Sequence, residues 1–255
     1  MTRIVALLMW MLAPALAQAQ PADALAAFDR GAFAEAAQLA RAGTDAPSRA
    51  LAARATLAMA AYQTTDKRQA LSLVAQALAD GKAAMAADPK HIEALLQTAI
   101  AYGYRAKLTR SPGDAKTARR LIEQGLALAP ANPFALAALG GWHGETVAEL
   151  GGFLAGTMVG ARKDEAIRRF EAALKVDPAS PSFPTFYATT LAQTDFRRNQ
   201  PRVAALFATA ANLKPRDGFE ALMQRHAAEI SAALASGRVQ QARSLIDRYA
   251  AFGTL

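Results

Sequence analysis

Small and large apolar residues recur along this chain at helical spacing, and the runs stop at prolines. In EAIRRFEAALKVDP, Glu165 to Pro178, the residues Ala166, Phe170 and Ala173 fall four and three apart. That spacing puts them on one face of a helix. Asp177-Pro178 then ends the helix, because proline has no amide proton to donate and disfavours helix in the residue before it. The pattern returns in ALADGKAAMAADP, ending at Pro89 with Ala77 and Ala84 in the matching places. It returns again in ARRLIEQGLALAP, with Ala118, Ile122 and Gly125 before Pro130. A fourth copy, VAALFATAANLKP, sets Val203, Phe207 and Ala210 before Pro215.

This periodicity predicts helices at about 22–30, 33–42, 47–63, 67–87, 91–107, 114–128, 132–149, 163–176, 182–194, 200–212, 217–235 and 239–251. No stretch alternates with period two, so no sheet is predicted. Asp66, Asp114 and Asp164 fall where N-caps or first-turn acids belong, satisfying free amides and opposing the helix dipole.

Repetition of a small–large–small–proline phrase resembles the tetratricopeptide repeat family, whose unit is two antiparallel helices in about 34 residues. Its first-helix positions are matched by Leu95, Ala99 and Tyr102 after Pro89, and by Leu136, Leu139 and Gly140 after Pro130, with His143 in the aromatic place. After Pro178, Tyr187, Ala188 and Leu191 fit loosely, and the copy after Pro215 is degenerate. The resemblance spans about Ala22 to Ala251. It implies an all-α fold: a right-handed superhelix of antiparallel helix pairs, a TPR-like α-solenoid.

Proline spacing then measures departures from the unit. Pro89 to Pro130 is 41 residues, Pro130 to Pro178 is 48 and Pro178 to Pro215 is 37. The surplus falls between the helices of a pair, around Leu108–Thr117 and, more strongly, over Leu150–Lys163. The second surplus is an apolar insertion inside one repeat, LGGFLAGTMVGARK. It is too short for a transmembrane helix, which needs about 20 residues. Two readings stay open for it: a hydrophobic cap folded onto neighbouring helices, or a surface that covers a ligand or dips into a membrane.

Gly141, Trp142 and Glu145, followed by this insertion and the EAIRRFEAAL helix, are similar to the regulator of microtubule dynamics family. The same region also resembles the tetratricopeptide component associated with periplasmic TRAP transporters. Both resemblances imply a scaffold. The second also implies service to an uptake system.

Composition adds a compartment. Arg3, the apolar run Ile4–Leu16 and the small residues Ala17 and Ala19 form an export signal expected over 1–19, leaving one repeat domain over 20–255 and a periplasmic location. The chain has no cysteine, which excludes disulfides and a lipid anchor at the processing site. Alanine dominates the 53% apolar content and aromatics are only 7%, which suits many closely packed helices. The net charge of +8 is spread in pairs such as Arg119-Arg120, Arg168-Arg169 and Arg197-Arg198. No aromatics interleave with them as a nucleic-acid groove would require, so no nucleic-acid partner is expected.

Candidate chemistry is sparse. His91, His143 and His226 lie far apart, so no metal site and no cofactor is expected. No nucleophile elbow, phosphate-binding loop or dinucleotide fingerprint is present. Glu145 and Glu149 share a helix face and lie near His143, the only grouping with acid–base potential. The resemblance places Tyr104, Gly141, Glu145, Thr189 and Gln193 on the concave wall, where first helices line the groove. With Trp142 and Phe153 added, the expected partner-binding residues are Tyr104, Trp142, Glu145, Phe153, Thr189 and Gln193. The expected function is a non-enzymatic exported scaffold that binds a protein or peptide. The alternative is an accessory component that handles an apolar small molecule or lipid, with membrane contact through 150–160.

Overall fold

The computed structural model describes residues 21–255, and the export signal expected over 1–19 lies outside them. Among the described residues there are twelve helices and no strand. They are α1 (Ala22–Asp29), α2 (Phe33–Arg41), α3 (Ala46–Tyr62), α4 (Lys67–Ala87), α5 (Ile92–Thr109), α6 (Pro112–Leu128), α7 (Pro133–Leu150), α8 (Gly152–Val159), α9 (Lys163–Val176), α10 (Ser182–Asn212), α11 (Gly218–Ala235) and α12 (Val239–Tyr249). None is long and apolar enough to cross a membrane.

The repeated phrase is the packing face. Ala77, Ala84, Ala118, Ile122, Ala166, Phe170, Ala173, Val203, Phe207 and Ala210 are all buried. Glycine at this face has a steric cause. A Cβ on Gly81 would sit 2.3 Å from Thr98 Oγ1, and one on Gly125 would sit 3.1 Å from Leu96 Cδ2. Neighbouring helices therefore approach closely, α4 and α6 each lying against α5. The prolines stop helices as predicted: α4, α6 and α9 end at Ala87, Leu128 and Val176, each two residues before Pro89, Pro130 or Pro178.

Caps set the other ends. The Asp45, Asp66, Ser111, Asn132 and Asp217 side chains accept from the amides of Ser48, Gln69, Asp114, Ala135 and Glu220 at 2.9, 2.8, 3.3, 2.9 and 2.8 Å. Each such bond satisfies a first-turn amide with no partner inside the helix. Asp66 is thus an N-cap, whereas Asp114 and Asp164 are first-turn acids.

Three expectations need correction. The gap at 195–199 is a kink within α10, not a loop. Asp195 leaves helical geometry (φ −168°, ψ 87°), and its carboxylate accepts from Arg198 N at 3.1 Å, capping the second half. Polar, non-periodic residues there removed the apolar signal without removing the helix. Around Leu108–Thr117 the surplus lengthens α5 and α6, which meet at Arg110 in the left-handed region (φ 55°). Within Leu150–Lys163 the chain forms α8, a helix apolar on all sides and so without a period to detect.

The two ends of the array meet. Beyond α12 the chain runs back against α3: Phe252 N donates to Ala61 O at 2.9 Å, and Thr254 Oγ1 donates to Thr64 O at 3.0 Å. The start of α11 lies on the α1–α2 turn, so close that a Cβ on Gly218 would fall 2.3 Å from Gly31 N and 2.4 Å from Phe28 O. Arg54 of α3 pairs with Asp217 at 2.8 Å. The Tyr62 and Phe219 rings meet edge-on at 5.7 Å, and Tyr104 and Phe252 at 4.9 Å. The inner wall is therefore a closed circuit of α3, α5, α7, α10 and α11.

Candidate ligand chamber

This circuit surrounds a cavity of about 930 Å³. The size lies within the range of ligand pockets, about 300–1,000 Å³. Its walls are mainly apolar, with Leu57, Ile100, Phe134, Phe186, Phe219 and Met223 facing in. Leu57 comes from α3, Ile100 from α5, Phe134 from α7, Phe186 from α10, and Phe219 and Met223 from α11.

Five of the six expected binding residues line the chamber: Tyr104, Trp142, Glu145, Thr189 and Gln193, together with Gly141. Phe153 does not. It stands on α8 with 81% of its surface exposed, pointing away from the cavity. The sequence cannot give its direction, because an eight-residue helix with apolar residues all round has no inward stripe. Of α8 only Ala155 is buried, while Leu154 and Met158 are about half exposed, at 49% and 48%. Met158 and Val159 nevertheless reach the chamber, so α8 forms part of its rim. Arg119 Nη1 ties it to α6 by donating to Val159 O at 3.1 Å.

Trp142 serves both core and chamber. Its ring packs beside Leu95, Leu121 and Leu139, and its Nε1 donates to Ala115 O at 2.8 Å. Arg119 lies over the ring at 5.2 Å, a cation–π contact.

A polar group stands on the α5–α7 side. Lys107 Nζ pairs with Glu145 Oε2 at 3.2 Å, and Glu149, one turn on, also faces the chamber. The Glu145 carboxylate holds the Lys107 ammonium above its ordinary range. Tyr62 and Tyr104 share this environment. Burial, with the Glu145 charge nearby, raises both phenols well above the usual tyrosine value, so both stay protonated. On the α10–α11 side, Ser180 Oγ donates to Glu220 Oε1 at 2.7 Å, and the Arg216 guanidinium reaches both Glu220 and Asp177. Beside them Ser182 is buried with no partner for its Oγ.

His143 does not join Glu145 and Glu149. It is buried on the far face of α7, where its Nδ1 accepts from Arg162 N at 3.2 Å. Burial, then the Arg119 charge, lowers its pKa to about 4, so it is neutral. The acid–base grouping read from spacing is therefore split between two faces of one helix. Among the described residues no group of three His, Asp or Glu side chains is placed to hold a metal ion.

Lys107, Tyr62, Phe219 and Phe252 are absent from the sequence-based set. Tyr62 and Lys107 sit on helical faces with no motif of their own. Phe219 reaches the site only where the two ends of the chain meet, which no local pattern reports, and Phe252 packs against the lining residue Tyr104 without lining the chamber itself.

Helices stacked on alanine seams around one chamber define an all-α, repeat-like protein with a built-in cavity. The chain belongs to the regulator of microtubule dynamics protein 1-3 family, whose family model matches residues 36–235. No curated protein matches the chain.

Proposed function

We propose that this chain is a non-enzymatic exported protein that encloses a small amphipathic ligand within a single turn of TPR-like helix pairs, wound as a right-handed superhelix. The observation that carries the reading is the chamber of about 930 Å³ completed by residues from both ends of the chain. An open solenoid offers a groove to an extended peptide. Here the groove's ends are joined through Phe252–Ala61 and Arg54–Asp217, which leaves room for a compact or folded-over ligand. Apolar walls with a few polar groups at separate positions suit a molecule with an alkyl or ring body and a polar end. In the periplasm such a protein would serve as an accessory binder to an uptake system.

Native mass spectrometry on the chain from residue 20, purified from the periplasm, tests this. A retained small-molecule adduct that is lost on denaturation supports the reading. A protein at its bare mass that also takes up no added amphiphile overturns it.

A scaffold for a partner protein is the second reading, favoured by one observation: the exposed apolar residues Phe153, Leu154 and Met158 on α8. Co-purification of a stoichiometric protein partner, lost in Phe153→Glu while ligand uptake persists, would support it.

A further inference from the structure

The whole chain is basic, with a net charge of +8, yet the chamber is not. Its lining carries six carboxylates (Glu93, Glu145, Glu149, Asp177, Asp217 and Glu220) against four cations (Arg54, Lys107, Arg110 and Arg216). Three of the cations are engaged by lining carboxylates: Arg54 by Asp217, Lys107 by Glu145, and Arg216 by Glu220 and Asp177. Glu149 forms no ion pair among the described residues, and Glu93 accepts only from the Gln97 amide at 3.1 Å. A protein selected to hold a carboxylate or phosphate would present unspent guanidinium or ammonium donors to it. This chamber presents one such donor, Arg110, against two lining carboxylates outside any ion pair among the described residues, Glu93 and Glu149.

Aromatic faces reinforce it. Tyr62, Tyr104, Phe186 and Phe219 line the same space, with Tyr62 against Phe219 at 5.7 Å and Phe219 against Phe186 at 6.2 Å. Ring faces attract cations and are indifferent or averse to anions. Glu145 is close enough to Tyr62 and Tyr104 to raise both phenols, which places its negative charge beside those rings.

We infer that the chamber selects a cationic amphiphile, an amine or quaternary ammonium on an apolar body, with the charged end among Glu145, Glu149 and the Tyr62 and Tyr104 rings. The inference rests on the chamber reading above and specifies its ligand class. The cation is held by carboxylates in a partly desolvated site, where charge attraction is stronger than in water. An anionic amphiphile of the same body meets Glu149 and the Lys107–Glu145 pair, and among the described residues only one lining cation stands outside an ion pair, Arg110, exposed just past the end of α5.

Thermal-shift and tryptophan-quenching titrations with dodecyltrimethylammonium, monolaurin and laurate, all below their micelle concentrations, test the inference. The expected order is the ammonium tightest, by about tenfold or more over laurate, with monolaurin between; tenfold corresponds to ~1.4 kcal/mol. Glu149→Gln should narrow the gap between ammonium and laurate about threefold. Glu145→Gln/Glu149→Gln should abolish or reverse it while monolaurin binding stays within about twofold. Melting of the unliganded variants reports whether they fold, and Glu149→Gln, at an exposed position, keeps the test valid if the double variant does not. Equal or tighter binding of laurate overturns the ligand class and leaves the chamber reading standing. Failure of all three probes to bind overturns both.

Discussion

The amide of Phe252 donates to the carbonyl of Ala61 across 2.9 Å, fastening the last residues of the chain to the final turn of α3. The Phe252 ring is buried against Leu108, Val74 and Tyr104, so one residue supplies both a backbone clasp and an apolar plug. Phe252→Ala removes the plug and should destabilise the protein by ~3–5 kcal/mol, the range for truncating a buried phenylalanine. Urea unfolding measures this. The same variant should weaken binding of any amphiphile the wild type takes up.

At the facing seam, Gly218 has no room for a side chain. A Cβ there meets backbone atoms of Gly31 and Phe28, which cannot rotate away. Gly218→Ala should therefore cost ~2–3 kcal/mol by prising the ends apart. Gly156 is the control. It lies inside α8, is exposed, and a Cβ there would reach only Ala161 O at 3.9 Å, so Gly156→Ala should raise stability by ~0.5–1 kcal/mol. Paired melting curves for the two variants should move in opposite directions.

Stability should fall in mild acid. His143 and His226 are held neutral by burial, each with its pKa lowered to about 4 from an unfolded value near 6.5. The unfolded chain then binds more protons between those values, so stability is full above about pH 6.5 and drops as pH falls towards 4. The His143 contribution is on the order of 3 kcal/mol by the end of that window. His143→Asn retains an acceptor for Arg162 N and cannot titrate. Denaturant midpoints from pH 7 to 4.5 should show about half the wild-type slope in that variant. Carboxyls held low by their partners, such as Asp114 beside Arg105, lose their contribution only at lower pH.

Trp142→Phe keeps most of the ring and deletes the bond from Nε1 to Ala115 O and the better cation–π face for Arg119. A loss of ~1–2 kcal/mol is expected in chemical unfolding.

Phe153→Glu should leave stability within ~0.5 kcal/mol of wild type, since the side chain touches little. Its effect should appear in surface behaviour instead, as weaker sedimentation with phospholipid vesicles and weaker retention on an apolar resin.

Most of the helical framework was legible because its causes are local. Ala166, Phe170 and Ala173 announce a buried stripe, and Pro178 announces its end. Tyr104, Trp142, Glu145, Thr189 and Gln193, the first and last three of which the repeat resemblance sets on one wall, all line the chamber. Phe153 was misplaced because α8 is apolar on every side, and periodicity carries no direction there. The 195–199 kink was read as a break because Asp195, Arg197 and Arg198 interrupt the apolar pattern while Asp195 caps a new turn. Lys107 and Phe219 were invisible as site residues, and Phe252 as a clasp, because their roles come from contacts between distant parts of the chain, as in the Lys107–Glu145 pair and the Phe252–Ala61 bond.

Joining the first helices to the last residues also constrains how this architecture can change. An open stack can gain or lose a hairpin at either end and keep its surface. Once α1 and α3 must meet α11 and Phe252, an added or deleted hairpin shifts one terminus past the other and breaks the seam. The number of helix pairs is thereby fixed by geometry, and the size of the chamber with it, so diversification would have to proceed by exchanging inward side chains at constant length.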